Sequence, residues 1–208
     1  MLTVGLTGGI GCGKTTVGAM FVALDCRLID SDQITHELFE PGQQVHEAVV
    51  LEFGAAIVHD SGRIDRRKLS AIVFSDPPKR EKLNSLVHPA VKKRQDAFLE
   101  NVRREDSDAI AIVDAALMVE TGSYKRYDRL VVVTCRPEQQ RNRLEGRSGL
   151  TPESIEARIE SQMPLVEKAE HADFVVDNSG SLEETRWRVE EIYKEFVRLL
   201  PGVREVSS

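Results

Sequence analysis

The residues with the clearest chemical purpose run from Thr7 to Thr16 and read Thr-Gly-Gly-Ile-Gly-Cys-Gly-Lys-Thr-Thr. Gly8, Gly13, Lys14 and Thr15 fit the spacing G-x-x-x-x-G-K-[ST], a loop that cradles the phosphates of a nucleoside triphosphate. Glycines such as Gly8, Gly11 and Gly13 permit positive φ, so that the backbone N–H groups of Cys12, Gly13 and their neighbours close around phosphate oxygens. A helix opening near Lys14 adds the positive end of its dipole. Lys14 would neutralise the β- and γ-phosphates, and the Thr15 hydroxyl, next to Thr16, would ligate Mg²⁺. The bland alternative is a merely flexible glycine turn. An apolar run before the loop and helical periodicity after it favour the phosphate loop.

Two acids, Asp30 and Asp32, follow a second apolar run. In a parallel α/β sheet, residues just past the carboxyl ends of strands gather on one edge, which would set one of these carboxylates beside the phosphate loop. Both could equally cap a helix starting near Gln33. Asp114 ends a third apolar run and would either hold Mg²⁺ through water or cap a turn. Arg141, Arg143, Arg147 and Arg158 lie in a Gly/Pro-punctuated helical stretch, where arginines three or four apart share one face. In a chain of acidic balance this cluster predicts a phosphate-facing lid rather than a solvated face paired with Glu138, Glu145 and Glu153. Asn178 is a candidate adenine contact or an Asx turn. Cys12, beside Lys14 and at a helix N-terminus, is either a reactive thiol or an inert small residue.

Elements must position these side chains. Leu2 to Leu6 predicts a first strand, and Val17, Met20, Phe21 and Leu24 mark one stripe of a helix from Lys14 to Leu24. Arg27 to Ile29, Ala109 to Val113, Leu130 to Thr134 and Phe174 to Asp177 read as four more strands. Between the second and third strands the chain is mostly helical: Gln33 to Phe39, Gln43 to Phe53 with Gly54 as stop, Arg66 to Phe74, and Pro77 to Val87. His88-Pro89 is expected to break that last helix, with another from Pro89 to Arg104. A small hairpin is expected across Ile57-Val58 and Ile64, and a helix from Glu138 to Glu145. Ser181 and Glu184 form a capping box for a final helix that buries Val189, Ile192, Phe196 and Leu200.

With 208 residues, 41% of them hydrophobic, the chain can bury a sizeable core as one domain. The formal net charge of -6 argues against nucleic acid as an obligatory partner. Cys12, Cys26 and Cys135 are an odd set without a C-x-x-C pair, which suggests neither a disulfide framework nor a zinc site. No signal peptide or membrane span is expected, and a cytoplasmic protein without a membrane partner fits.

No N-K-x-D run marks a guanine site, and no L-S-G-G-Q-like signature marks a transporter ATPase. A helical insert and an arginine lid suit a kinase that encloses a small acceptor and excludes water. Along nearly its whole length the sequence resembles the dephospho-CoA kinases. The matching blocks are Thr7 to Thr16; Ile29-Asp30-Ser31-Asp32 with His36; Gly62-Arg63-Ile64-Asp65-Arg66 with Leu69 and Phe74; Leu83-Asn84 with His88-Pro89; Arg143 and Arg147; and Ala172-Asp173 with Asp177-Asn178. Two departures stand out: Ala116-Leu117-Met118-Val119-Glu120 replaces a Pro-Leu-Leu-Phe-Glu-like run, and serine is more usual at Cys12 and Thr15. Thr15 preserves the hydroxyl.

The resemblance implies ATP-dependent phosphorylation of the ribose 3′-hydroxyl of dephospho-CoA, the last step of coenzyme A synthesis, with Mg²⁺. It implies an α/β fold: a P-loop NTPase-type parallel five-stranded sheet flanked by helices, with a core of about 1–35, 107–137 and 171–200. A helical acceptor-binding insert would span about 36–106 and a helical lid about 138–165. Asp32 becomes the acid near the acceptor hydroxyl, with Lys14, Arg143 and Arg147 on the transferring phosphoryl group. His36, Arg66 and His88 become acceptor contacts. The rival readings are a kinase for another small acceptor on the same scaffold and a nucleotide-sensing module without turnover.

Overall fold

The first strand, β1 (Leu2–Gly8), is buried at every position, as a central strand covered on both faces must be. The computed structural model describes residues 1–148 and 151–201, the side chains of 147 and 148 excepted. In chain order there follow α1 (Lys14–Ala23), β2 (Arg27–Asp30), α2 (Ser31–Leu38), α3 (Gln44–Phe53), α4 (Arg66–Phe74) and α5 (Pro77–Glu105). Then come β3 (Ile110–Asp114), β4 (Arg129–Thr134), α6 (Pro137–Ser148), α7 (Pro152–Glu160), α8 (Leu165–Glu170), β5 (Phe174–Asp177) and α9 (Leu182–Arg198). Two compact units result, one of Met1–Ile29 with Leu99–Ser208 and one of Asp30–Phe98.

The first unit holds a five-stranded sheet in the order β2-β3-β1-β4-β5. β1 runs parallel to β3, with Leu6 opposite Asp114, and parallel to β4, with Gly8 opposite Val133. β4 in turn runs parallel to β5, with Thr134 opposite Asp177. The loops after β1, β3, β4 and β5 therefore share one edge, where ligands of such sheets bind. On one face Leu6, Ile112, Val131 and Val133 pack with Val17, Phe21, Val189, Ile192 and Phe196. Phe196 stacks on Phe21 at 5.7 Å between ring centroids and meets Phe174 edge-on at 5.4 Å. Each such side chain contributes about 1.5–3 kcal/mol by leaving water. The expected Ser181/Glu184 capping box is present at the start of α9.

In the second unit, α2 begins at Ser31 rather than Gln33, because the Asp30 carboxylate caps it, accepting from the N–H groups of Asp32 and Gln33. The expected hairpin shrinks to one antiparallel bridge between Val58 and Ile64, since Ile57 is taken into a short 3₁₀ turn, Ala55–Ile57. The expected break at His88-Pro89 does not occur. Pro89 lies inside one continuous helix, α5. A proline leaves a single i−4 carbonyl without its partner, here that of Ser85, and at this exposed position water can satisfy it. α6 also extends further than expected, to Ser148.

Candidate active site

The phosphate loop is the turn from β1 into α1. Gly11 and Gly13 adopt φ of 76° and 89°, which only glycine takes without strain. Gly13 is the N-cap of α1 and offers no side chain to cap it, so the N–H groups of Lys14 and Thr15 remain available to an anion, while that of Thr16 donates to the Gly13 carbonyl at 3.0 Å. The Lys14 ammonium pairs with Asp114, which is buried at the end of β3. Thr15 is exposed in the first turn of α1, and Thr16 faces the cavity described below.

Long-range hydrogen bonds hold the loop's backbone in place. Gln140 of α6 donates to the Ile10 carbonyl at 2.7 Å, and the Ile10 N–H donates to the Gln162 side-chain oxygen at 2.9 Å. The Cys12 carbonyl accepts from the Asn178 amide at 2.8 Å and from Arg143 at 3.2 Å. The second Arg143 terminal nitrogen donates to the Asn178 carbonyl at 2.9 Å, and Thr185 donates to the Asn178 side-chain oxygen at 3.0 Å. Gly11, Gly13, Thr16, Arg143, Asn178 and Leu182 line a cavity of about 270 Å³ beside the loop. That volume lies near the lower end of small-molecule sites, about 300 Å³.

Of the arginine cluster, Arg143 alone is joined to the loop by these bonds. Arg141 is exposed and pairs with Glu156, and Arg158 is exposed. The Arg147 side chain lies outside the described residues. Both ends of the Asn178 side chain are engaged, and the Asx turn belongs to Asp177, whose carboxylate accepts from the Ser179 N–H at 3.0 Å.

Lys168 of α8 is fully buried, a costly state for an ammonium unless it is paired. It meets Glu120 at 2.9 Å and donates to the Ala116 carbonyl at 3.0 Å, an oxygen that also accepts from Thr7 at 3.1 Å. Glu120 further accepts from the Met163 N–H at 3.2 Å. Gln140, Gln162, Lys168, Thr185 and Leu182, which surround these groups, were not legible from the sequence. Their partners are mostly backbone groups brought near by the sheet, which no local spacing announces.

Cys12 does not match a reactive thiolate. It is fully buried, and its thiol is pushed well above the usual range by hydrogen bonding to Cys135 and by burial. Its sulfur lies 3.2 Å from that of Cys135, the residue after β4. Cys135 is held below the usual thiol range, chiefly by that same hydrogen bond and further by the Arg143 charge.

In the second unit, Asp30 is occupied as a cap, whereas Asp32 is exposed and its carboxylate has no partner among the described residues. The His36 ring nitrogen hydrogen-bonds Arg66, which opens α4. His88 is exposed on α5 and has no partner among the described residues.

The dephospho-CoA kinase family model matches residues 2–184. A dephospho-CoA kinase of Aquifex aeolicus is 42% identical over 95% of this chain and 99% of its own length. One from Symbiobacterium thermophilum is 44% identical, covering 93% of this chain and 81% of that one. Among solved structures, TT1252 from Thermus thermophilus superposes with a TM-score of 0.77 at 30% identity, covering 93% of this chain and 97% of that one. A dephospho-CoA kinase from Campylobacter jejuni, 24% identical, shares the fold at a TM-score of 0.69 over 94% of this chain and 97% of its own. A family match that spans the phosphate loop, Asp30, Asp32 and Arg143 of α6 leaves one assignment: the chain belongs to the dephospho-CoA kinase family.

Proposed function

We propose that this chain transfers the γ-phosphoryl group of ATP to the ribose 3′-hydroxyl of dephospho-CoA, giving coenzyme A and ADP. The observation that carries the reading is the phosphate loop itself, uncapped at α1, with Lys14 and Arg143 converging on it beside a cavity that suits a nucleoside. Lys14 would exchange part of its contact with Asp114 for the β- and γ-phosphates. Arg143 would turn toward charge building on the equatorial oxygens, and Arg147 is proposed to assist it. Asp32 would orient the acceptor hydroxyl and take its proton. Because the transition state is loose, that positioning matters more than base strength. His36, Arg66 and His88 are proposed to hold the acceptor.

Among the described residues no cluster of three or more His, Cys, Asp or Glu could hold a metal by itself. Mg²⁺ nevertheless fits, because it prefers one or two protein oxygens completed by substrate phosphates and water, and the Thr15 hydroxyl and Asp114 carboxylate supply that minimum. When bound it would neutralise phosphate charge. A cytoplasmic setting, without membrane or nucleic-acid partners, is proposed on the free cysteines and acidic balance. No helix among the described residues is long and apolar enough to cross a membrane.

The test is coupled ADP release with dephospho-CoA against a panel of nucleosides, sugar acids and shikimate-like alcohols, followed by mapping of the new phosphate. Strong preference for dephospho-CoA with phosphate at the 3′ position is expected. Equal turnover of another acceptor would overturn the reading.

A further inference from the structure

Cys12 and Cys135 are 123 positions apart in the chain, yet their sulfur atoms lie 3.2 Å apart. β1 and β4 are neighbours in the sheet, so the turn after one and the residue after the other are brought together by the fold. A covalent S–S bond is about 2.05 Å long, so roughly 1 Å of approach joins them. The two thiols are not equivalent. Cys135 is the more exposed, at 7% against 0%, and it receives the favourable Arg143 charge. Cys26 offers a contrast within the same chain: it is buried, has no thiol neighbour, and is pushed up to about 12 mainly by burial.

We infer that Cys12 and Cys135 form a peroxide-responsive dithiol, closing to an intramolecular disulfide that disables the phosphate loop. The Cys135 thiolate attacks hydrogen peroxide: an S–O bond forms, the O–O bond breaks, and the departing hydroxide takes up a proton to become water. The Cys12 sulfur then attacks the sulfenic sulfur of Cys135. The S–S bond forms, the S–O bond breaks, and the leaving hydroxide carries away the Cys12 proton as a second water. In sum two thiols lose two electrons and two protons, and one peroxide becomes two waters.

The consequence for the nucleotide follows from where Cys12 sits. It lies between Gly11 and Gly13, the two positive-φ hinges of the loop, and its carbonyl is gripped by Asn178 and Arg143. Drawing its Cβ toward the end of β4 strains that grip and turns the neighbouring N–H groups away from phosphate. This consequence rests on the proposed nucleotide reading, whereas the disulfide does not.

The full chain is treated with hydrogen peroxide, residual thiols are blocked, and the product is mapped by non-reducing peptide mass analysis alongside ATP-binding calorimetry. A Cys12–Cys135 peptide is expected, with ATP affinity lowered at least about tenfold and restored by dithiothreitol. Cys135→Ser should keep the ATP affinity of the reduced chain and become indifferent to peroxide. Recovery of both thiols unlinked, a Cys135 that stops at sulfenic or sulfinic acid, or pairing through Cys26 would overturn the dithiol. A Cys12–Cys135 bond that leaves ATP affinity unchanged would overturn the switch. Failure of the reduced chain to bind ATP would instead count against the nucleotide reading, because the mass readout stands apart from it.

Discussion

Asp30 and Asp32 are two positions apart and do different work. The Asp30 carboxylate is spent on the helix it begins, while Asp32, one residue inside α2, is exposed with a carboxylate that has no partner among the described residues. Asp32→Asn should therefore lower kcat far more than it raises the KM for ATP, as read by coupled ADP release. Asp30→Ala should act on stability, costing about 1 kcal/mol as lost N-caps do, visible as a fall in Tm. An Asp32→Asn enzyme with unchanged kcat would remove Asp32 from catalysis. Arg143 makes a fork across two carbonyls, those of Cys12 and Asn178, which a single ammonium cannot reproduce. Arg143→Ala should lose ~10³-fold in kcat, and Arg143→Lys should recover little of it. Full recovery by lysine would show that charge alone suffices. The phosphate loop was legible because its functional groups are contiguous and its glycines are dictated by backbone geometry. The amides of Gln140 and Gln162 were not, because what they satisfy is the backbone of Ile10, more than a hundred positions away.

At the scale of elements, periodicity and capping chemistry located the strands and most helix starts, because burial on a sheet face or helix stripe is written into local residue order. The failure at Pro89 has a physical cause. Sequence rules treat proline as a terminator, but its fixed φ suits a helix, and only one carbonyl is left over where solvent can reach it. α5 thus carries a local defect in its middle. Pro89→Ala should restore the missing bond to Ser85 and raise stability by on the order of 1–3 kcal/mol, seen in thermal or urea unfolding. If the Pro89→Ala chain unfolds at lower temperature, the ring must be packing rather than merely tolerated. The 3₁₀ turn at Ala55–Ile57 is illegible in the sequence for a related reason: such turns have no periodicity of their own in three residues.

Across the whole molecule, the sheet order β2-β3-β1-β4-β5 brings the ends of four strands to one edge, and an ion pair between a buried lysine and a partly exposed glutamate ties two of the segments beyond that edge. Lys168 in α8 reaches Glu120 and the Ala116 carbonyl, so the stretch after β3 is anchored by a residue some fifty positions on. Such a pair specifies arrangement more than it adds stability, because the cost of desolvating the Lys168 ammonium takes up much of what its attraction to the partly exposed Glu120 returns. Three variants separate the two effects. Lys168→Met should destabilise only modestly, by about 1 kcal/mol, since the Glu120 carboxylate it leaves is within reach of water as well as of the Met163 N–H. Glu120→Gln should also destabilise, because the fully buried ammonium keeps the Ala116 carbonyl alone. The double variant, Lys168→Met with Glu120→Gln, has no uncompensated charge and should recover most of the lost stability in urea unfolding. It should not recover acceptor turnover: with the Lys168 bond lost and the Ala116 carbonyl left to the Thr7 hydroxyl, the KM for dephospho-CoA should rise while ATP affinity stays near that of the parent. A double variant that unfolds as easily as the worse single one would show the pair to be a net source of stability. One that turns over dephospho-CoA like the parent would show that the stretch after β3 needs no anchor.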